Sequence, residues 1–405
     1  MTDRLPAPGD FAAPPDAATR GRWLEADREH RPARLARLRE RLVGEGIDAY
    51  FGARPEHMRW LTGFSLADGE EKVAGHSGQL LVGADRVTLV TDSRYTIQAR
   101  REAPGAVIDE IGNDLASAWA RLVGEVGARR VAVEAEAVSH ALWDRLRTAA
   151  TDVELVPVDG WIEAMRAVKT TDEVERVSAA CAVSDRALAA LLPEIRAGVT
   201  EHDLAVRLEW LIRSGGAEAL AFDVACLAGP EAALPHGAPG DRPVLDGAVL
   251  LFDFGAQVDG YRSDMTRTLF VGEPVERDLR VYDLVWRSQQ AVIVALEAAV
   301  AAGPIPNGRE LDAIARGVIE AERSWLAYGH GLGHGIGLAT HEEPRLSRSA
   351  PETPLPSPTV FSVEPGIYLE GETGVRIEDL VHLDALQGVV ERLTKFPRDV
   401  IVLPA

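Results

Sequence analysis

The spacing of apolar positions in the first part of the chain predicts alternating helices and strands. From Pro32, leucines recur at helical intervals until the pattern stops at Gly44. The later predicted elements are a strand at 47–51, a pair of strands at 79–90, a helix at 115–126, a strand at 130–133 and a helix at 139–149. We therefore expect an α/β domain over residues 32–160. Residues 1–31 form a mobile tail and extension in this interpretation.

The rest of the chain repeats one order of elements, in which two helices are followed by strands. The first pair of helices begins at a capping box on Thr170 and at a second cap on Thr200. The second pair includes a helix that Asn307 caps and that is predicted to run to Trp325. This order predicts an α+β domain over residues 161–405 with an internal pseudo-two-fold duplication.

Length, charge and cysteine content exclude several classes of protein. With 405 residues and a formal net charge of -20, the chain is long enough for two domains and repels polyanions, so no nucleic-acid partner is expected. No apolar run approaches a membrane span, and the first residues lack the order of a secretory signal. The only two cysteines suit buried thiols better than a disulfide framework. We expect a cytoplasmic protein without a membrane segment.

Five residues in the last part of the chain have the chemistry of a two-metal hydrolytic site. Each lies in a strand-like or glycine-rich segment, and they are Asp253, Asp264, His334, Glu364 and Glu378. Four carboxylates among apolar neighbours would carry a large penalty as unpaired buried charges. Two divalent cations would cancel those four charges. The cluster therefore predicts a dinuclear metal site.

A hairpin turn at Asp259–Gly260 gives the two aspartates a common face. Counting outward from this turn places Gly255 opposite Asp264 and Asp253 on the same side of the sheet. We expect the glycine to leave room for an ion beside Asp264.

The two glutamates present a geometric difficulty. A two-residue turn at Glu372–Thr373 would put Glu364 and Glu378 on opposite faces of their strands. Only a loop of odd length or a bulge restores a shared face, and the sequence alone does not show either one.

The glycines around His334 argue against a helical metal motif. Glycine alternates from position 329 to 337, so His330 and His334 are not expected on a stable helix as in zincins, and close backbone approach to a ligand accounts for the glycines better. Asp253-Phe254-Gly255 matches a kinase triplet, but no nucleotide loop precedes it. The alternating glycines also lack the spacing and the leading strand of a dinucleotide fingerprint.

Taken together, several motifs resemble those of the pita-bread metallopeptidases of the aminopeptidase P and prolidase group. The resemblance covers roughly residues 162–381, and its motifs include Leu234-Pro235-His236, Ser263-Asp264-Met265-Thr266-Arg267, His330-Gly331-Leu332-Gly333-His334, Thr340-His341-Glu342, Val363-Glu364-Pro365-Gly366 and Arg376-Ile377-Glu378-Asp379. The preceding region is similar, more weakly, to the creatinase-like amino-terminal domain of the same group. The resemblance implies an α/β creatinase-like domain followed by a duplicated α+β pita-bread domain.

The resemblance also implies roles for individual residues. All five ligand positions are retained, with Asp264 and Glu378 expected to bridge both ions. His236 and His341 would flank the scissile bond, His330 would contribute to the substrate pocket, and Arg376 would support the carboxylates. A glutamate at the ions, Glu364 or Glu378, could take a proton from the attacking water. Manganese is the metal that we expect, with cobalt, iron or zinc as alternatives for such an oxygen-rich site.

Three functions are compatible with these residues. The leading expectation is a Xaa-Pro aminopeptidase that cleaves the bond between an amino-terminal residue and a following proline. The alternatives are a Xaa-Pro dipeptidase, or prolidase, and a non-catalytic peptide-binding protein on the same fold. Small proline-containing peptides are the expected partners, and a homodimer is the expected assembly because members of the group commonly self-associate.

Overall fold

The chain folds into two compact units. The computed structural model describes residues 4–66, 78–112, 114–322 and 328–405. One unit consists of residues 18–165, and the other combines residues up to 17 with residues 166–405. Helix α1 (Ala17–Gly44) includes Pro32 in its interior, so the helix starts well before the boundary at residue 32 that we expected. Its apolar side extends back to Trp23, which is buried like Leu38.

The unit of residues 18–165 is an α/β domain, as predicted. After α1 its elements are β1 (Ala49–Gly52), α2 (Pro55–Thr62), β2 (Gln79–Val82), β3 (Val87–Thr91), α3 (Thr96–Glu102), β4 (Val107–Glu110), α4 (Leu115–Glu125), β5 (Arg130–Glu134), α5 (His140–Ala149), β6 (Glu154–Val158) and α6 (Trp161–Arg166). The strands form one six-stranded sheet of order β4-β3-β2-β1-β5-β6. The predicted strand pair at 79–90 is the antiparallel β2–β3 hairpin. Strand β1 pairs in parallel with β5, which makes the sheet mixed.

The other unit has the predicted order of two helices followed by strands, twice over. Its first half contains α7 (Thr171–Leu191), α8 (Glu201–Ser214), β7 (Ala219–Leu220), β8 (Ala225–Ala228), β9 (Ala248–Phe254), β10 (Ala256–Val258), β11 (Tyr261–Arg262) and β12 (Met265–Val271). Its second half contains α9 (Glu276–Ala302), α10 (Gly308–Glu322), β13 (Gly333–Gly335), β14 (Glu342–Leu346), β15 (Thr359–Val363), β16 (Gly366–Leu369), β17 (Thr373–Arg376), β18 (Asp379–Asp384), β19 (Val389–Arg392) and β20 (Val402–Leu403). This order confirms the duplicated α+β fold.

Each half of the duplicated unit contributes a sheet. Strands β8, β9 and β12 of the first half form a sheet of order β20-β12-β9-β8, in which β20 from the end of the chain is the edge strand. The second half gives the sheet β14-β13-β15-β18-β19. Apolar residues of β9, β15 and β18 join those of α9 and α10 in one buried core. The strands that precede or carry the five candidate ligands are therefore anchored by the same core.

The predicted helix caps are present at the start of the helices. Thr170 and Glu173 form a capping box on α7, and the hydroxyl of Thr200 accepts the Asp203 amide on α8. Asn307 Oδ1 accepts the backbone N–H of Glu310 at 2.9 Å before α10. The predicted end of this last helix at Trp325 lies outside the described residues.

The hairpin expected at Asp259–Gly260 has the predicted register. Both residues have positive φ, 47° and 76°, as a two-residue turn of this kind requires. Val258 pairs with Tyr261, and further along Thr266 pairs with Asp253. The same count places Asp264 opposite Gly255.

The reason for glycine at position 255 differs from our expectation. A Cβ atom there would lie 2.0 Å from the carbonyl oxygen of Ser263 and 2.8 Å from Cβ of Ala221. The glycine therefore permits close approach of neighbouring backbone, and room for an ion is not what it provides.

The loop of odd length that the glutamates require is also present. Strands β16 and β17 pair as a hairpin in which Leu369 faces Thr373, so three residues form the loop between them. On the outer side of this hairpin, β15 and β18 are paired with Val363 opposite Asp379. Continuing that register by one step puts Glu364 directly opposite Glu378, with both side chains on one face.

Two expectations about composition can be compared with the structure. Both cysteines are free and buried, as expected. None of the helices within the described ranges combines the length and the apolar character needed to cross a membrane.

Replacing Gly255 by alanine tests the close backbone approach at this position. We expect Gly255→Ala to destabilise the fold by about 3 kcal/mol, because the added methyl group meets the backbone carbonyl oxygen of Ser263, whose N–H is bonded to Ala256. The matched control is Gly317→Ala on α10, where nothing lies within 4 Å of the new Cβ, and it should stabilise the protein by up to about 1 kcal/mol. Denaturant unfolding measures both changes, and equal midpoints for the two variants would contradict this explanation.

Candidate metal centre

The structure brings the five predicted ligands together from both halves of the duplicated unit. Ligand atoms of Asp264, His334 and Glu378 all lie within 4.8 Å of one another. His334 Nε2 is 3.4 Å from Glu364 Oε1 and 3.7 Å from Asp264 Oδ2. Since His334 Nδ1 donates to the Gly335 carbonyl oxygen at 3.0 Å, Nε2 carries the lone pair that faces the carboxylates.

Hydrogen bonds from Arg376 and Thr266 connect Asp253, the remaining carboxylate, to this group. Arg376 Nη2 donates to Asp253 Oδ2 at 2.5 Å, and its Nε donates to Thr266 Oγ1 at 2.9 Å. The Thr266 hydroxyl in turn donates to Glu378 Oε2 at 2.8 Å. Asp253 and Glu378 are therefore held by one continuous chain of hydrogen bonds, in which Arg376 supports the cluster as expected.

Burial and mutual repulsion change the acidity of the cluster. The pKa of Asp264 is raised well above its ordinary value, first by burial and then by the charges of Glu378, Asp253 and Glu364. Burial and the same kind of repulsion raise the pKa of Glu378 well above its ordinary range and raise the pKa of Glu364. The charge of Arg376 opposes the shifts of Asp264 and Glu378, and one cation does not offset four acids.

Two unpaired carboxylate oxygen atoms indicate which kind of ligand the cluster could hold. Asp253 Oδ1 and Asp264 Oδ1 are buried and have no hydrogen-bond partner within the described ranges. Buried polar atoms are nearly always satisfied, so an unpaired oxygen on each of two neighbouring aspartates indicates a missing positive partner. Oxygen atoms of four carboxylates with one imidazole nitrogen form a donor set that suits hard or borderline divalent cations.

His330 is held in one tautomer beside this cluster. Its Nδ1 donates to the Gly331 carbonyl oxygen at 2.7 Å, so its Nε2 accepts the Tyr368 O–H at 2.9 Å. Tyr368 Oη also accepts a hydrogen bond from Arg376 Nη1 at 2.9 Å. Burial lowers the pKa of His330, which keeps the ring neutral. His330 is thus linked to Asp253 through Tyr368 and Arg376.

Helix α10 fixes the glycine-rich segment that carries the two histidines. Arg316 donates to the carbonyl oxygens of Tyr328 and His330, and Asp312 Oδ1 accepts the Leu332 N–H at 3.0 Å. Arg316 and Asp312 are themselves an ion pair one helical turn apart. The segment is therefore held in position without helical structure of its own.

The glycines of this segment are required by neighbouring strands. A Cβ on Gly333 would lie 2.0 Å from the Ser362 carbonyl oxygen, and one on Gly335 would lie 2.1 Å from that of Glu343. We expected the backbone of these glycines to approach a ligand closely. The close approach is present, but the neighbouring group is the backbone of Ser362 and Glu343.

His341 and His236 lie at the solvent-exposed side of the cluster. The rings of His341 and His334 are 4.1 Å apart between centroids. Burial, then the charge of neighbouring His334, lower the pKa of His341 to about 4, so the ring is neutral at pH 7. His236 is exposed, and its charge contributes to the same shift, which indicates that it is near His341.

A buried ion network follows His341 directly. Glu342 accepts hydrogen bonds from Arg166 and from Lys169 Nζ, the latter at 2.8 Å, and all three side chains are almost fully buried. The two cations lower the pKa of Glu342 against the effect of burial. This network fixes the backbone next to His341.

Sequence reasoning missed several residues of the site. They are Thr266, Tyr368 and Ser362, and Arg345 lies on the strand beside His334. Thr266 and Tyr368 each lie within four residues of a predicted ligand, and Ser362 Oγ donates to Glu364 Oε1 at 3.1 Å and accepts the His334 N–H. Arg345 pairs directly with His334 across β13 and β14, so their side chains share a face. Only the strand register, which the sequence did not give for this segment, could have identified it.

Two protein families match this chain, and their matches fall mainly in different compact units. The family described as metallopeptidase family M24 matches residues 175–385. The family described as the creatinase/prolidase N-terminal domain matches residues 34–168. Together the two matches cover both compact units except for their first and last segments.

Individual relatives match over nearly their whole length. The chain is 32% identical to a Xaa-Pro dipeptidase of Pyrococcus furiosus, over 91% of this chain and 99% of that protein. The structure of a Xaa-Pro dipeptidase from Bacillus anthracis is similar with a TM-score of 0.83 and 31% identity, covering 92% of this chain and 100% of that one. The structure of an X-Pro aminopeptidase from Thermotoga maritima has a TM-score of 0.77 and 35% identity, covering 90% and 99%.

Removing the Thr266 hydroxyl tests whether it orients the cluster. Thr266→Val leaves Arg376 Nε and Glu378 Oε2 without their shared partner, so we expect the affinity for Mn²⁺ to fall about 10- to 100-fold, the usual effect of losing a partner of a metal ligand. The matched control is Thr359→Val on β15, whose buried hydroxyl has no partner among the described residues. Calorimetric titration of metal-free protein measures both, and equal Mn²⁺ affinities would refute the role of Thr266.

Proposed function

The chain belongs to metallopeptidase family M24 and is a hydrolase, and we propose that it is a dinuclear metal-dependent Xaa-Pro dipeptidase. The observation that carries this proposal is the cluster of Asp253, Asp264, His334, Glu364 and Glu378, whose buried acids repel one another and leave two oxygen atoms unpaired. A site that merely bound peptides would gain nothing from such repulsion. The substrate class rests on the relatives and on Arg345.

The five residues would hold the metal ions. Asp264 and Glu378, whose ligand atoms lie within 4.8 Å of one another, would contribute to the binding of both ions, as the family resemblance implies. We propose manganese, because a site dominated by carboxylate oxygen suits it. When bound, the pair of ions would compensate the acidic charges, polarise the scissile carbonyl and lower the pKa of the attacking water.

Three side chains would move or hold protons during hydrolysis. Glu364 reaches the cluster from the end of β15 and would take the proton of the attacking water, while Ser362 orients its carboxylate. His341 is neutral at pH 7 and would donate a ring N–H to the oxyanion that develops on the carbonyl oxygen. His236, exposed beside it, would serve the proton transfer to the leaving proline nitrogen. His330 would line the pocket as a fixed neutral ring.

Arg345 supports a dipeptide as the substrate. Its side chain is 72% exposed and lies on the same face as His334, and its one ion pair uses Nε with Glu343 at 3.2 Å. Among the residues that the structure describes, no ion pair uses the terminal nitrogens of Arg345. These nitrogens can therefore bind the carboxylate of a substrate. In a Xaa-Pro dipeptide the carboxylate follows the scissile bond by one residue, whereas in a longer peptide it is absent from that place.

An aminopeptidase acting on longer peptides is the second candidate. It was the leading expectation from the sequence, and the similarity to the X-Pro aminopeptidase structure, at 35% identity, favours it. The names of several other relatives favour the dipeptidase. We place the dipeptidase first because Arg345 adds a physical reason for it.

Further expectations from the sequence are carried forward as proposals. We propose that the two compact units act as an amino-terminal creatinase-like domain and a catalytic domain, and that the protein is a cytoplasmic homodimer. Light scattering at working concentration tests the assembly, since a monomer mass would exclude the dimer.

Comparison of two matched substrates tests the proposed activity. Metal-free protein loaded with Mn²⁺ should hydrolyse a Xaa-Pro dipeptide, and the same sequence extended by one residue at its carboxyl end should be cleaved at least tenfold more slowly. Faster cleavage of the longer peptide would identify the aminopeptidase instead. Absence of hydrolysis of both peptides would reject both candidates.

The role of Arg345 can be tested separately. We expect Arg345→Met to reduce kcat/KM for a Xaa-Pro dipeptide about tenfold through KM, because a hydrogen bond to a charged group contributes about 1.5–3 kcal/mol. A Xaa-Pro amide, which has no carboxylate, should be cleaved by the variant as well as by the wild type. The matched control is Arg348→Met, an equally exposed arginine that pairs with Glu320 on α10. An equal loss on dipeptide and amide would contradict carboxylate recognition.

A further inference from the structure

The first described residues of the chain pack on the unit that carries the metal centre. Residues 4–14, here named the amino-terminal strap, include a short 3-10 turn at Pro8–Asp10 that Asp10 closes by accepting the Ala7 N–H at 2.8 Å. Arg4 also donates to Asp10 at 2.7 Å. The strap precedes the matched family regions, which begin at residue 34. It is therefore a feature of this chain that the family assignment does not explain.

Helix α7 binds the strap through one arginine. Arg186 Nη1 donates to the Pro8 carbonyl oxygen at 2.8 Å and to that of Phe11 at 3.4 Å. The Phe11 ring stacks on the ring of Phe396, with centroids 6.1 Å apart and planes inclined by 12°. The strap thus covers a residue that is completely buried.

Phe396 belongs to a turn that α7 also holds. The carboxylate of Asp185, the residue before Arg186, accepts the backbone N–H groups of Lys395 and Phe396 at 2.8 and 3.0 Å. Neighbouring residues of one helix therefore fix both partners of the ring stack.

The carbonyl oxygens of the same turn bind an arginine beneath the metal centre. Arg267 donates to the carbonyl oxygens of Phe396 and Pro397 at 2.8 and 3.0 Å. Its other N–H groups donate to the carbonyl oxygen of Glu378 at 2.5 Å and to Asp379 Oδ1 at 2.6 Å. Arg267 is fully buried, so these bonds define its position and the position of the Glu378 backbone.

We propose that Phe11 of the strap is a positioning residue for the metal ligand Glu378, acting through Phe396 and Arg267. Stacking of Phe11 keeps Phe396 and its turn in place, the turn fixes Arg267, and Arg267 fixes the backbone from which the Glu378 side chain reaches the cluster. The contacts form one contiguous path with no gap. This inference rests on the proposed function only in treating Glu378 as a metal ligand.

Calorimetric titration with Mn²⁺ of metal-free, full-length protein tests the inference. Phe11→Ala should weaken Mn²⁺ binding three- to tenfold, less than the loss of a direct partner of a ligand would, while Phe11→Tyr, which retains the stack, should bind as the wild type does. The matched control is Leu5→Ala, which removes an exposed apolar side chain from the same strap and should leave affinity unchanged. Circular dichroism confirms that each variant is folded at the titration temperature.

The outcomes separate the strap from the proposed function. A lower melting temperature of Phe11→Ala with unchanged Mn²⁺ affinity would overturn the inference, because it would show a purely structural contact. Should Phe11→Ala not fold, Phe11→Leu, which keeps apolar contact but loses the ring stack, is titrated instead and the same criterion applies. Failure of the wild type to bind Mn²⁺ would overturn the strap inference and the proposed function together, whereas failure of the strap alone leaves the wild-type titration intact.

Discussion

Repulsion among buried acids is the constraint on which the rest of this site depends. Asp264, Glu364 and Glu378 all have raised pKa values, and burial and neighbouring carboxylates are the causes. Unpaired buried carboxylates are costly, and rotation of their side chains towards water would normally relieve that cost. The neighbouring hydrogen bonds prevent that rotation. Thr266, Ser362 and Arg376 each bind a carboxylate oxygen and leave other oxygens directed at one another.

The duplicated fold explains how residues far apart in sequence can be held this firmly. One half supplies two aspartates from a single hairpin register, and the other supplies two glutamates from strands that diverge around an inserted hairpin. His334 reaches the cluster from β13, which α10 and β15 hold on either side. Because the core beneath these strands is shared, neither half can shift its ligands without disturbing the other.

Local sequence chemistry predicted much of this arrangement. A two-residue turn at Asp259–Gly260 allows only one pairing of the residues on either side, so it determined which residues lie opposite the two aspartates. The helix caps were likewise predicted from short local motifs. For the glutamates, the sequence showed only that a shared face requires a loop of odd length or a bulge. It could not show which loop is present, because the pairing of Leu369 with Thr373 is known only from the structure. The roles proposed for Arg345 and for the strap depend on contacts between distant segments, which no local pattern encodes. The reason for glycine at position 255 was not predicted because the close approach of the Ser263 carbonyl oxygen cannot be read from the sequence.

The most direct test of the central claim is the number of protons released when metal binds. Metal-free protein is titrated with Mn²⁺ at pH 7 in buffers of different ionisation enthalpy, which separates the heat of binding from the heat of proton transfer to buffer. Because acids with raised pKa values retain protons that cations displace, we expect two Mn²⁺ ions per chain and release of at least one proton. Binding without proton release, or no binding at all, would contradict the account.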